Sequence, residues 1–117
     1  MHEVESIDEL DEFISYNDGY VIMLYFGASW CGPCKLLKEK LSTQDSFERM
    51  PLLKVVYIDI DKSDGIASLY KIITLPTQIF VKLYDLKVKI ASRIEGYDYT
   101  KLLLDYDNYV NKLLNTT

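Results

Sequence analysis

Apolar residues along the chain fall into two spacings, and each predicts its own kind of element. Ile7, Leu10, Phe13 and Ile14 recur at three- and four-residue intervals, starting from a Ser6-Ile7-Asp8-Glu9 capping box. This spacing predicts a helix over 7–16, stopped by Asn17-Asp18-Gly19. Residues 20–26 (YVIMLYF) are apolar at every position, as a central strand covered on both faces requires. A turn over 27–34 then leads into a helix through 35–41 that continues irregularly towards Arg49, with Pro33 in its first turn. Residues 53–59 (LKVVYID) read as a second buried strand and 63–70 as a short helix. Residues 77–83 and 87–95 read as a hairpin turning near Tyr84-Asp85. After Asp98, Leu102, Leu103, Tyr106, Tyr109, Val110, Leu113 and Leu114 line one side of a last helix.

The order is α, β, α, β, α, β, β, α, preceded by a short edge strand near Val4. A βαβ unit followed by a hairpin makes an α/β fold: a central mixed sheet of four to five strands with helices on both faces. At 117 residues the chain has room for one domain, residues 1–117. Two cysteines cannot staple a disulfide-built miniprotein, so the core must come from the 49% of residues that are hydrophobic.

Charge narrows the partners. Thirteen basic residues against 18 acidic ones give a net charge of −5. Residues 1–18 hold seven of the acids and no Lys or Arg, which reads as the solvated face of the first helix, with an acidic docking surface as the other reading. A globule with no basic cluster is a poor partner for nucleic acid or an anionic membrane. The N-terminus lacks a basic stretch followed by an apolar one, and the longest apolar run has seven residues. A soluble, cytoplasmic, reducing environment is therefore expected, and a monomer.

The chemistry lies in Trp30-Cys31-Gly32-Pro33-Cys34-Lys35, where the central strand hands over to a helix. Two cysteines three positions apart in a first helical turn can close a tight disulfide. The first presents its sulfur to unpaired backbone N–H groups and the positive end of the helix dipole. Both favour the thiolate, which is the nucleophile of disulfide exchange, so Cys31 is read as the attacking group. Cys34, a turn further in, is placed to resolve the mixed disulfide. A zinc site needs two more Cys or His ligands, and only His2 is left. An inert disulfide across so short a loop would stabilise little. Redox chemistry is the reading that remains.

These residues resemble the active-site signature of the thioredoxin family, Phe26-x-Ala28-x-Trp30-Cys31-Gly32-Pro33-Cys34-Lys35, and the likeness extends over essentially the whole chain. Thr74-Leu75-Pro76-Thr77 matches the family's second signature, in which the proline is cis and faces the redox pair; Ile60-Asp61, Ala67, Tyr70 and Gly96 also fall at family positions. The resemblance implies a protein disulfide reductase with the thioredoxin fold and no bound cofactor, drawing electrons from an external flavin-containing thioredoxin reductase. It implies a substrate groove made from Trp30, Gly32, Pro33, Ile60, Leu75, Pro76 and Gly96. There an extended segment would pair with the backbone before Pro76 as with an edge strand. The Gly-Pro dipeptide belongs to the family's reducing members and speaks against an oxidase or isomerase. The rival from another class is an accessory binding subunit whose redox pair is incidental.

The chain departs from the family at the buried Asp six residues before the first cysteine and at its Lys partner on the neighbouring strand: these positions are Tyr25 and Tyr57. A buried phenol cannot serve as a base at neutral pH. Losing both members of a buried ion pair together avoids stranding one charge. Two acceptors remain for the Cys34 proton. One is water or the emerging substrate thiolate, favoured because Asp59 is expected in solvent near its strand end. The other is Asp59 itself, which shares a strand face with Tyr57. The stretch between Pro76 and Gly96 is longer than is usual in the family, with Tyr84-Asp85-Leu86 at its turn. The C-terminal tyrosines Tyr97, Tyr99, Tyr106 and Tyr109 read as half-buried packing, with a partner-binding face as the alternative.

Overall fold

Five strands form one mixed sheet: β1 (His2–Glu3), β2 (Val21–Gly27), β3 (Leu53–Asp59), β4 (Thr77–Tyr84) and β5 (Lys87–Glu95). Their order in the computed structural model, which describes residues 1–114 apart from the Leu114 side chain, is β1-β3-β2-β4-β5. β1, β3 and β2 run parallel; β4 and β5 are antiparallel to their neighbours. The helices are α1 (Ile7–Tyr16), α2 (Gly32–Leu41), α3 (Gln44–Arg49), α4 (Asp64–Leu69) and α5 (Tyr99–Leu114). This is the thioredoxin fold, and the place foreseen for Leu114 in its core lies outside the described side chains.

β2 explains the two-sided arrangement. All seven of its residues are buried. Ile22, Leu24 and Phe26 point into a core with Leu10 and Ile14 of α1, Ile66 of α4, and Val56 and Ile58 of β3. Val21, Met23 and Tyr25 point the other way, against Leu37 and Leu41 of α2 and Leu102, Tyr106 and Tyr109 of α5. Period-two alternation thus feeds two cores from one strand. β3 is less buried than its composition suggests: Leu53, Val55 and Tyr57, on the α2 side, keep partial exposure.

Local chemistry sets the boundaries. Ser6 caps α1, accepting the Glu9 N–H at 3.1 Å while its hydroxyl donates to Glu9 Oε1 at 3.2 Å. The irregular continuation after residue 41 is a break into two helices. Ser42 ends α2, and Thr43 starts α3 by accepting the Ser46 N–H on its hydroxyl at 3.2 Å. In the β4–β5 hairpin Tyr84 pairs with Lys87. The turn is therefore Asp85-Leu86, both with positive φ (50° and 65°).

The C-terminal tyrosines mostly pack inward by their rings and bond by their hydroxyls. Tyr109 donates to the Val81 carbonyl at 2.8 Å, Tyr106 accepts the Leu52 N–H at 3.1 Å, and Tyr99 donates to Ser46 Oγ at 3.0 Å. Tyr97 remains exposed. Among the described residues no helix is long and apolar enough to cross a membrane.

Candidate functional site

β2 delivers the chain to the site and α2 begins almost at once. Cys31 is the N-cap residue of α2, with extended backbone (φ −88°, ψ 111°), and its sulfur accepts the Cys34 N–H at 3.2 Å. Pro33 sits in the first turn, where its missing N–H leaves no hydrogen bond unmade. Cys31 and Cys34 are joined by a disulfide with a Cα–Cα distance of 5.3 Å. Both are buried, at 6% and 3% exposure. On reduction, a sulfur at this N-cap faces the unpaired N–H groups of α2, which stabilise the thiolate over the thiol. The pair can therefore pass between dithiol and disulfide, with the Cys31 end better placed to meet another molecule.

A groove of about 510 Å³ opens beside Cys31. Trp30 forms one wall at 66% exposure. Its indole is fixed by Nε1 donating to Asp61 Oδ2 at 2.8 Å. Gly32, Pro33, Ile60 and Leu75 line the same groove. The Leu75–Pro76 peptide is cis. Pro76 and Gly96 do not line the groove; they join each other, the Gly96 N–H donating to the Pro76 carbonyl at 2.7 Å beside the first β4–β5 pair. Ile72 and Ile73 complete the wall and were missed by the sequence reading, Ile73 being 88% exposed. The available signal was two adjacent isoleucines in a segment that belongs to neither a helix nor a strand.

Behind Cys34 lies a second cavity, of about 470 Å³. Tyr25 and Tyr57 occupy its floor, ring centroids 5.3 Å apart. The Tyr25 hydroxyl donates to the Cys34 carbonyl, tying β2 to the first turn of α2. The Lys38 amino group stands 5.0 Å above the Tyr57 ring, within cation–π range. Burial, then the neighbouring Tyr57, pushes the Tyr25 phenol far above its ordinary value. Burial, then Asp59, Glu3 and Asp61, raises Tyr57. Both phenols stay protonated at neutral pH.

Asp59 corrects the sequence reading. It ends β3, as expected, yet it is buried, at 7% exposure, and it lines the same cavity as Cys34. The cause is the turn that follows. The Asp59 carbonyl accepts the N–H groups of Lys62 and Ser63 at 3.1 and 2.9 Å, and its Oδ1 accepts the Asp61 N–H at 2.9 Å. The chain folds back over the carboxylate instead of leaving it in solvent.

The family model described as Thioredoxin matches residues 3–104. Thioredoxin-1 of Drosophila melanogaster is 36% identical over 84 residues, covering 70% of this chain and 76% of that protein. Thioredoxin-T of the same organism is 30% identical over 84 residues, covering 70% of this chain and 52% of that protein, so the chain spans about half of this longer relative. Among solved structures, the thioredoxin of Fasciola hepatica superimposes with a TM-score of 0.79 at 28% identity, covering 92% of this chain and 98% of that one.

Proposed function

We propose, for a chain that belongs to the thioredoxin family, a broad-range protein disulfide reductase with Cys31 as attacking thiolate and Cys34 as resolving thiol. The chain is a thiol–disulfide oxidoreductase, and the observation that carries this reading is the Cys31–Cys34 pair at the N-terminus of α2. In the forward reaction the Cys31 thiolate attacks one sulfur of a substrate disulfide and the other sulfur leaves as a thiolate. Cys34 then attacks Cys31 Sγ, the second substrate sulfur departs, and the Cys31–Cys34 disulfide holds the oxidation that the substrate has lost.

The groove supports a broad substrate range. Its walls (Trp30, Pro33, Ile60, Leu75) are apolar and offer no charged pocket, so an accessible disulfide in an extended segment satisfies it better than any fixed side chain. The backbone around Leu75 and Pro76 would position that segment, with Gly96 holding Pro76 from behind. A flavin-containing thioredoxin reductase is the proposed electron donor, the cytoplasm the proposed location, and the monomer the proposed form. No cofactor of its own is needed, because both electrons reside in the dithiol.

The test couples the chain to such a reductase with NADPH and insulin. NADPH oxidation should scale with the amount of chain and vanish in Cys31→Ser. A chain that dithiothreitol reduces but the enzyme does not would overturn the donor assignment.

A further inference from the structure

We propose that Asp59 accepts the Cys34 proton, through solvent in the cavity the two residues share, when Cys34 resolves the mixed disulfide. The inference deepens the disulfide-reductase reading and rests on it.

The resolving step needs a thiolate, and Cys34 lies buried in the first turn of α2. The sulfur of Cys31, its nearest partner, is already bound to substrate at that moment. The cavity that Cys34 lines gives that proton a way out, and several polar groups face it. From β2 and β3 come Tyr25 and Tyr57, whose phenols hold their own protons. From α2 come Lys35 and Lys38, and from the turn after β3 comes Lys62; these are cations that favour a negative charge nearby and accept nothing. Two carboxylates remain. Glu3 sits on the edge strand β1, 42% exposed at its side chain, with Lys62 Nζ 3.8 Å from its Oε1. Asp59 is the buried one.

Register puts Asp59 in the right place. Tyr25 pairs with Tyr57 and Gly27 with Asp59, so all four positions share the sheet face that α2 covers. Gly27 carries no side chain of its own, and the Tyr57 and Tyr25 rings fill the space over it. Asp59 Oδ1 is held by the Asp61 N–H, while Oδ2 accepts no hydrogen bond among the described residues. One oxygen thus orients the group and the other is available. Atoms balance simply: the Cys34 S–H proton passes to the carboxylate, the thiolate attacks Cys31 Sγ, the Cys31–substrate S–S bond breaks, and the departing thiolate or bulk water later takes the proton from Asp59.

The experiment mixes the reduced chain with an equimolar nitrobenzoate disulfide, which releases a coloured thiolate on mixed-disulfide formation and again on resolution. That leaving group is a weak base and cannot itself take the Cys34 proton. Asp59→Asn keeps the acceptor for the Asp61 N–H and removes the basicity. The first release should be unchanged. The second should slow by about tenfold or more near pH 6, a modest share of what a positioned base contributes, with the gap narrowing as rising pH lets hydroxide remove the Cys34 proton. Asp59→Glu should recover part of the loss, and Glu3→Gln should leave the profile alone. A second release within roughly twofold of the native rate at every pH overturns the assignment. So does equal slowing at every pH, which marks a structural role. Absence of the first release in the native chain would overturn the reductase reading as well.

Discussion

A Cβ built on Gly27 would lie 3.0 Å from Cε2 of Tyr57 and 3.1 Å from Cε1 of Tyr25, so this glycine holds open the space that the tyrosine pair fills. Glycine inside a strand ordinarily weakens it by about 0.5–1 kcal/mol relative to alanine. Here the ordinary gain is reversed by crowding against two rings held between the sheet and α2. Gly27→Ala should destabilise the protein by about 1–2 kcal/mol, within the range for overpacked cores. Urea denaturation measures it, and adding Tyr57→Leu should shrink the cost because the closest ring is gone.

The hairpin carries local strain that one substitution relieves. Leu86 has φ of 65° and its side chain is almost fully exposed, so it holds a left-handed conformation without burial in return. That conformation costs an L-residue about 1–2 kcal/mol, part of which glycine gives back through lost chain entropy. Leu86→Gly should raise stability by about 0.5–1 kcal/mol without affecting disulfide reduction. A fall in the urea midpoint would contradict this.

Buried phenols make the fold sensitive to alkali. Burial, then Asp18, pushes Tyr109 up to about 12; burial, then Asp11, raises Tyr70, and Tyr25 and Tyr57 are raised as well. The folded chain keeps protons that the unfolded chain releases near pH 10. Stability is therefore intact below about pH 10 and is lost as pH rises from there through the folded-state values. Tyr109 alone accounts for up to roughly 3 kcal/mol of that loss, at 1.36 kcal/mol per unit. Tyr109→Phe should cost about 1–2 kcal/mol near pH 8, because the Val81 carbonyl loses its donor, and should flatten the decline above pH 10. Denaturation midpoints across this pH range decide.

The parts of the fold that follow from side-chain period were legible in the sequence: α1 from its capping box and apolar spacing, β2 from its unbroken apolar run, and the redox turn from Cys31-Gly32-Pro33-Cys34. Features that depend on chain reversal were not. Asp59 reads as a strand-end carboxylate in any linear scheme, and only the turn of Asp61, Lys62 and Ser63 onto it makes it a buried neighbour of Cys34's cavity. The division between α2 and α3 turns on the Thr43 hydroxyl, which accepts the Ser46 N–H and donates to the Lys40 carbonyl, and no periodicity announces it. Ile73 counts as core by composition and as groove wall by position, because its side chain stands exposed beside Cys31 while its neighbour Ile72 packs inward.

Dithiothreitol-driven reduction of insulin, followed by turbidity, tests the central claim most directly. The account predicts catalysis well above the dithiothreitol background with the native chain, and none above background with Cys31→Ser. Native chain no faster than dithiothreitol alone, or Cys31→Ser as fast as native, would contradict it.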